Sequence, residues 1–149
     1  MRDAVIENLK FEGYILEDNY AQIPEIKGVY CAYACAKNQV TGKWELGDIV
    51  YFGKSEDGDS TIRARVYAHM DLNDNARSTL KEGEKLAYSY AATDNPDVCE
   101  RALVAKHAEL PRLANDKLTS GYVGSTVLIS TSGKNQGMAN VILFLANER

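Results

Sequence analysis

A chain of 149 residues that is 45% hydrophobic and 26% charged has the size and composition of one globular domain with a sizeable core. Its net charge of −4 argues against a protein that coats nucleic acid by electrostatics alone, while leaving room for a locally basic groove. The longest apolar run, Val141 to Ala146, is far too short to span a bilayer. The N-terminus MRDAVIENLKFEG carries charges where a secretory apolar segment would lie, so no signal peptide is expected.

Taken in chain order, Arg2 to Lys10 reads as a short helix using Ala4, Val5 and Leu9. A polar connection through Glu17, Asp18 and Asn19 leads to IPEIKGVY. Val29 to Ala36 is apolar on both alternating faces, which predicts a strand covered on both sides and central in its sheet. Cys31 and Cys35 fall within it, about 13 Å apart at 3.3 Å per residue, too far to bridge. With Cys99 they read as reduced, buried thiols of a cytoplasmic protein. The stretch KNQVTGKWELGD is a long connecting loop with Gly42 near its tip and Trp44 within it. Asp48 to Phe52 follows as a second strand. TIRARVYAHMDL predicts a helix capped by Asp59 or Ser60. After a polar stretch from Asp71 to Glu84, Leu86 to Thr93 predicts a strand with Leu86, Tyr88 and Tyr90 on one face. Asn95-Pro96 starts a helix that runs to Leu110, where Pro111 ends it. Its apolar stripe is Cys99, Leu103 and Leu110, widened by Ala102 and Val104. Thr126 to Ser130 and Ala139 to Ala146, joined by the polar TSGKNQG, form a C-terminal hairpin, an extension over about 122–149. Helices between short strands, with no repeat or linker, predict a single α+β domain: a small, mostly antiparallel sheet flanked by helices.

Several polar residues stand where packing alone does not ask for them. Tyr30 and Tyr51 lie on neighbouring predicted strands, where cross-strand pairing brings their hydroxyls towards one site. Arg65 and His69 are four apart and share a helix face. Glu100 borders an apolar stripe, and Asn115 follows the end of that helix. One carboxylate, one guanidinium, two phenols, an imidazole and an amide suit phosphodiester hydrolysis. A single carboxylate holds a hard divalent cation that keeps most of its waters. The guanidinium neutralises charge growing on the phosphoryl oxygens. A phenol with a reference pKa of about 10 is a weak base unless a cation or an imidazole assists it. Singly, each residue has an ordinary structural use; Glu100 near a helix start complements the dipole, and Asn115 suits a turn. Order and combination carry the case.

That order, GVY at 28–30, YFG at 51–53, then arginine, histidine, glutamate and asparagine, resembles the GIY-YIG endonuclease superfamily over Ile23 to Asn115. The proline-containing lead-in IPEIKGVY, the lysine after the second motif in YFGKS, the helix segment RVYAH, the glutamate of CERALVAKHAEL and the later PRLAN all fit its pattern. Val and Phe replace the motif isoleucines. The long spacing between the tyrosines is similar to the restriction-enzyme branch.

The resemblance implies a fold and a metal-dependent endonuclease acting by in-line attack of water with one Mg²⁺ or Mn²⁺ ion. By it, Tyr30 activates the water directly or by relay. Tyr51 orients the phosphate or shares the proton, and Arg65 stabilises the transition state. His69 assists the base, Glu100 holds the metal and Asn115 braces the site. Lys54 adds positive charge near the phosphate. Arg63 competes with Arg65 for the catalytic place, but only Arg65 shares a face with His69; Arg63 then stands with Trp44 as a substrate contact, Trp44 by stacking on a base. The implied partner is double-stranded DNA, with a homodimer or a separate recognition subunit to supply what one small domain lacks. The readings from other classes are a nucleic-acid-binding module of this fold without turnover, and a protein-interaction partner.

Overall fold

The computed structural model describes residues 4–55, 60–115 and 124–146. They form an α+β fold built on one six-stranded mixed sheet: β1 (Val5–Leu16), β2 (Gly28–Lys37), β3 (Trp44–Ser55), β4 (Lys85–Ala92), β5 (Val127–Gly133) and β6 (Val141–Phe144). The strand order is β3-β2-β4-β1-β5-β6. Every neighbouring pair is antiparallel except β1 and β5, which are parallel. Helix α1 (Ile62–Ala68) and a 3₁₀ turn at Glu17–Gln22 cover one face, and α2 (Pro96–Lys106) the other. None of these helices is long and apolar enough to cross a membrane.

β2 is buried on both faces along Gly28 to Cys35, as its apolar alternation predicts. Its residues divide two cores. Val29, Cys31 and Tyr33 pack with Leu103, Ile129 and Ile142 on the α2 side. Tyr30, Ala32 and Ala34 pack with Ile62, Val66 and Tyr88 on the α1 side. The three cysteines are free and buried.

The N-terminal segment is a strand rather than the expected helix. Leu9 and Phe11 point into the α2-side core while Asn8, Lys10 and Glu12 face outward, a period of two that Ala4, Val5 and Leu9 had obscured. Its first half pairs with β5 and its second half with β4, so the sheet curls where β1 changes partner. Gly13 sits at that change with a φ of 130°, and a Cβ there would lie 2.6 Å from the Tyr88 carbonyl oxygen.

β3 begins at Trp44, opposite Lys37, so the connection is a tight turn closing at Asn38 and Lys43 and Trp44 is a strand residue, not a loop residue. Helix α1 is capped by Thr61, whose hydroxyl accepts from the Ala64 amide at 3.2 Å. Ser60 is therefore not the cap, and Asp59 lies outside the described residues. Helix α2 stops at Lys106 rather than Leu110: His107 leaves helical geometry, with its ring bonded back to the Leu103 carbonyl at 2.7 Å, and the chain turns before Pro111. Asn95 stands at the cap position, but its amide donates to Glu7 Oε1 at 2.8 Å instead. The terminal hairpin of β5 and β6 joins the same sheet through β1; the ends of the 122–149 extension lie outside the described residues.

Gly53 stands opposite Tyr30 across β2 and β3, and the phenol ring lies over it: a Cβ at this position would run into the ring. The second glycine motif therefore makes room for the tyrosine of the first. Gly53→Ala is expected to lower stability by about 1–3 kcal/mol, the usual cost of overpacking. Urea unfolding measures this, and an unchanged midpoint would show that the ring moves aside freely.

Candidate active site

A bulge in β3 decides which residues meet. Between the pairs Tyr51–Ala32 and Ile49–Tyr33 the strand carries one extra residue, so Val50 and Tyr51 both turn to the α1 face. Tyr51 is thus diagonal to Tyr30, not opposite it, and the ring centroids are 6.4 Å apart. His69, at the C-cap of α1, closes the group. Its ring is 5.6 Å from that of Tyr30 and 4.9 Å from that of Tyr51, and it stacks on Tyr88 at 6.2 Å.

The polar atoms form a chain. The Tyr30 hydroxyl lies 2.7 Å from His69 Nε2, and His69 Nδ1 lies 2.7 Å from Asp74 Oδ1. An ionised carboxylate only accepts, so Nδ1 carries the proton and Nε2 is left to accept from Tyr30. Asp74 is fixed in turn by its second oxygen, which accepts from the Arg77 amide at 3.1 Å. The Arg77 guanidinium donates to the His69 carbonyl at 2.9 Å and to Glu17, whose other oxygen accepts from the Leu86 amide at 2.7 Å.

Tyr30 is fully buried, which pushes its phenol far above the ordinary range; neighbouring Tyr51 adds to this, and the positive charge of the exposed Arg65 opposes it. Burial holds His69 below the usual imidazole value, against the pull of Asp74. His107 is lowered by burial too. Its Nδ1–H donates to the Leu103 carbonyl and its Nε2 accepts from the Ala139 amide at 2.9 Å, so the ring is neutral and structural.

Tyr51 also lines a cleft of about 260 Å³ with Asn75, Glu100, Arg101, Val104 and Asn115. Asn115 grips the outer edge of β3: its Oδ1 accepts from the Phe52 amide and its Nδ2 donates to the Phe52 carbonyl, both at 2.8 Å. With the Ala114 amide on the Val50 carbonyl at 2.7 Å, this segment covers the open edge beside Tyr51. Tyr30, Tyr51, Arg65 and His69 are therefore brought together, and Tyr51, Glu100 and Asn115 share the cleft.

The other three expected residues have these partners. Lys54 is paired with Asp97 in the first turn of α2 at 2.5 Å, and Asp97 also holds Arg101 of the cleft at 3.0 Å. Arg63 donates to the Ile23 carbonyl at 2.6 Å and to Glu25 at 3.0 Å, tying α1 to the lead-in. Trp44 lies under the Lys85 ammonium, seven residues up β3 from Tyr51, on the order of 20 Å away. Among the described residues no three His, Cys, Asp or Glu side chains converge as a metal cage. Sequence reading missed Asp74, Asn75 and Arg101. Arg101 had a signal, its place next to Glu100; Asp74 had only its distance of five residues from His69.

No protein-family model, curated protein or solved structure matches the chain.

Two outcomes follow from these contacts. Both histidines have folded values below the unfolded 6.5, so the unfolded chain takes up protons first. Their stabilising contribution is full above about pH 6.5 and is lost as pH falls below it. The thermal midpoint should be level from pH 8 to 7 and drop between pH 6.5 and 5; a midpoint that rises over that interval contradicts the assignment. Asn115→Ala strips two hydrogen bonds from Phe52 and is expected to cost about 1–3 kcal/mol. Hydrogen exchange at the Phe52 amide should speed up in that variant, and unchanged protection there would deny the bracing role.

Proposed function

We propose that the protein is a metal-dependent endonuclease that hydrolyses DNA phosphodiester bonds, and that its relationship is with the GIY-YIG superfamily. The observation that carries this reading is Tyr51. It belongs at once to the Tyr30–His69–Arg65 group and to the cleft shared by Glu100 and Asn115, which draw on five separate parts of the chain.

The chemistry follows from what each group can do. Arg65, exposed above the buried phenol, receives a phosphate and offsets the charge that grows on its oxygens. Tyr51 faces the cleft and orients the phosphate by hydrogen bonding. Tyr30, hydrogen-bonded to His69, stands ready to pass a proton inward. Asn115 holds the backbone on which Tyr51 stands. Glu100 offers one hard carboxylate oxygen pair in a cleft large enough for several waters, which suits an ion such as Mg²⁺ that keeps most of its hydration shell. When bound there, such an ion supplies charge stabilisation at the leaving oxygen.

The substrate class we favour is double-stranded DNA, with a second copy of the chain or a separate subunit adding recognition. A second reading, a binding module of the same fold without turnover, is favoured by the complete burial of Tyr30.

Conversion of supercoiled plasmid to nicked and linear forms, in a series of Mg²⁺ and Mn²⁺ concentrations, separates the two. Cleavage should require the ion and fall by at least about 100-fold in Arg65→Ala and in Glu100→Ala. A wild type that binds DNA and cuts nothing with any divalent ion establishes the module; one that neither binds nor cuts points to a protein partner.

A further inference from the structure

We propose that Asp74 is a positioning residue of this site, fixing His69 as the Nδ1–H tautomer so that Nε2 is the acceptor for the Tyr30 hydroxyl proton. The inference rests on the hydrolytic reading of the cleft for its catalytic meaning, and on geometry alone for its structural one.

Three separate contacts immobilise the His69 residue. Its carbonyl accepts from the Arg77 guanidinium at 2.9 Å, its Nδ1 donates to Asp74 Oδ1 at 2.7 Å, and its Nε2 faces the Tyr30 hydroxyl at 2.7 Å. Asp74 cannot turn away, because Oδ2 accepts from the Arg77 amide and its own backbone carbonyl accepts from the Ser78 amide at 3.0 Å. A carboxylate that only capped this turn would need one oxygen. The second is spent on an imidazole that is buried, only 6% exposed, among Tyr30, Tyr51 and Tyr88. The charged groups bearing on that ring are Asp74 itself, Arg65 and Arg77, two cations against one anion. Without the carboxylate, the two guanidinium groups that remain both oppose a second proton on the ring. With it, an imidazolium has a partner.

The proton accounting closes. The relay is concerted: as the attacking water gives a proton to the Tyr30 oxygen, the hydroxyl's own proton passes to His69 Nε2, so Tyr30 stays neutral and the imidazolium faces Asp74, which stays ionised. The water oxygen forms the new bond to phosphorus as the bond to the departing sugar oxygen breaks. That oxygen takes a proton from solvent, and His69 returns its extra proton to solvent. Water and a diester become a monoester and an alcohol, and nothing is oxidised or reduced. The arrangement has the logic of a hydroxyl–imidazole–carboxylate triad with a phenol in the hydroxyl place.

The decisive experiment compares the full chain with Asp74→Asn, which keeps a side chain able to cap the turn. ¹⁵N-labelled histidine reports the tautomer directly by NMR, with or without nuclease activity. The wild type should show a protonated Nδ1 and a bare Nε2. In Asp74→Asn the amide can donate to Nδ1, and the proton should move to Nε2, where it blocks Tyr30. Cleavage should then fall about 10²–10⁴-fold in kcat with KM little changed, the range for loss of general-base assistance. An unchanged tautomer in the variant overturns the proposal. So does a switched tautomer with the cleavage rate retained. If the wild type cleaves nothing, the hydrolytic reading falls on its own, and the tautomer comparison still decides whether Asp74 sets the state of His69. Should Asp74→Asn fail to fold, Asp74→Ser, another capping side chain, carries the same two readouts.

Discussion

The hydrogen bond between the Tyr30 hydroxyl and His69 Nε2 is the contact around which this site is organised. It joins β2, the strand next to the β3 edge, to the end of the helix that covers it, across 39 residues of sequence. Such a bond inside a protein is stronger than in water, and equally costly to leave unmade. Both partners are buried, so neither can turn to solvent for an alternative. That constraint explains the neighbours. Gly53 must lack a side chain for the phenol to lie across β3, Asp74 must hold the far side of the imidazole, and Arg77 must hold its backbone.

The sheet supplies the rigidity this arrangement needs. β2 lies between β3 and β4 with its buried length covered on both faces, so Tyr30 stands on a strand paired on both edges and packed on both sides. Tyr51 comes from β3, an edge strand, and edge strands are open to slippage. Asn115 and Ala114 answer that weakness by bonding Phe52 and Val50 on the outer side. Asn115 reaches this strand through the Phe52 backbone, the residue next to Tyr51.

Much of this was legible in the residues. A run buried on both faces marks β2, and Asn95-Pro96 marks the start of α2, but the caps themselves were not legible: Thr61 rather than Asp59 or Ser60 caps α1, and the Asn95 side chain goes to Glu7. What was not legible depends on distant partners. β1 is a strand because it pairs with β5, Val5 opposite Val127, and nothing local announces a partner 122 residues away. The bulge that turns Tyr51 towards Tyr30 is a matter of register, which alternation alone does not reveal. Asp74 sits in a stretch rich in Asn and Asp, where every acidic residue reads as a solvated turn; only the return of the chain over His69 distinguishes it. Trp44 and Arg63 were read by residue type alone, which does not reveal that one meets Lys85 and the other a backbone carbonyl.

The account's central claim is that one phosphate is received where the Tyr30 group and the cleft meet. A crystal structure of the protein with a short DNA duplex and Ca²⁺, a hard divalent cation with oxygen ligands like Mg²⁺, tests it most directly. The prediction is a backbone phosphate within hydrogen-bond distance of both the Tyr51 hydroxyl and the Arg65 guanidinium, with the ion on the Glu100 carboxylate. Duplex bound on any other face of the molecule, with Tyr51 and Glu100 untouched, would contradict it.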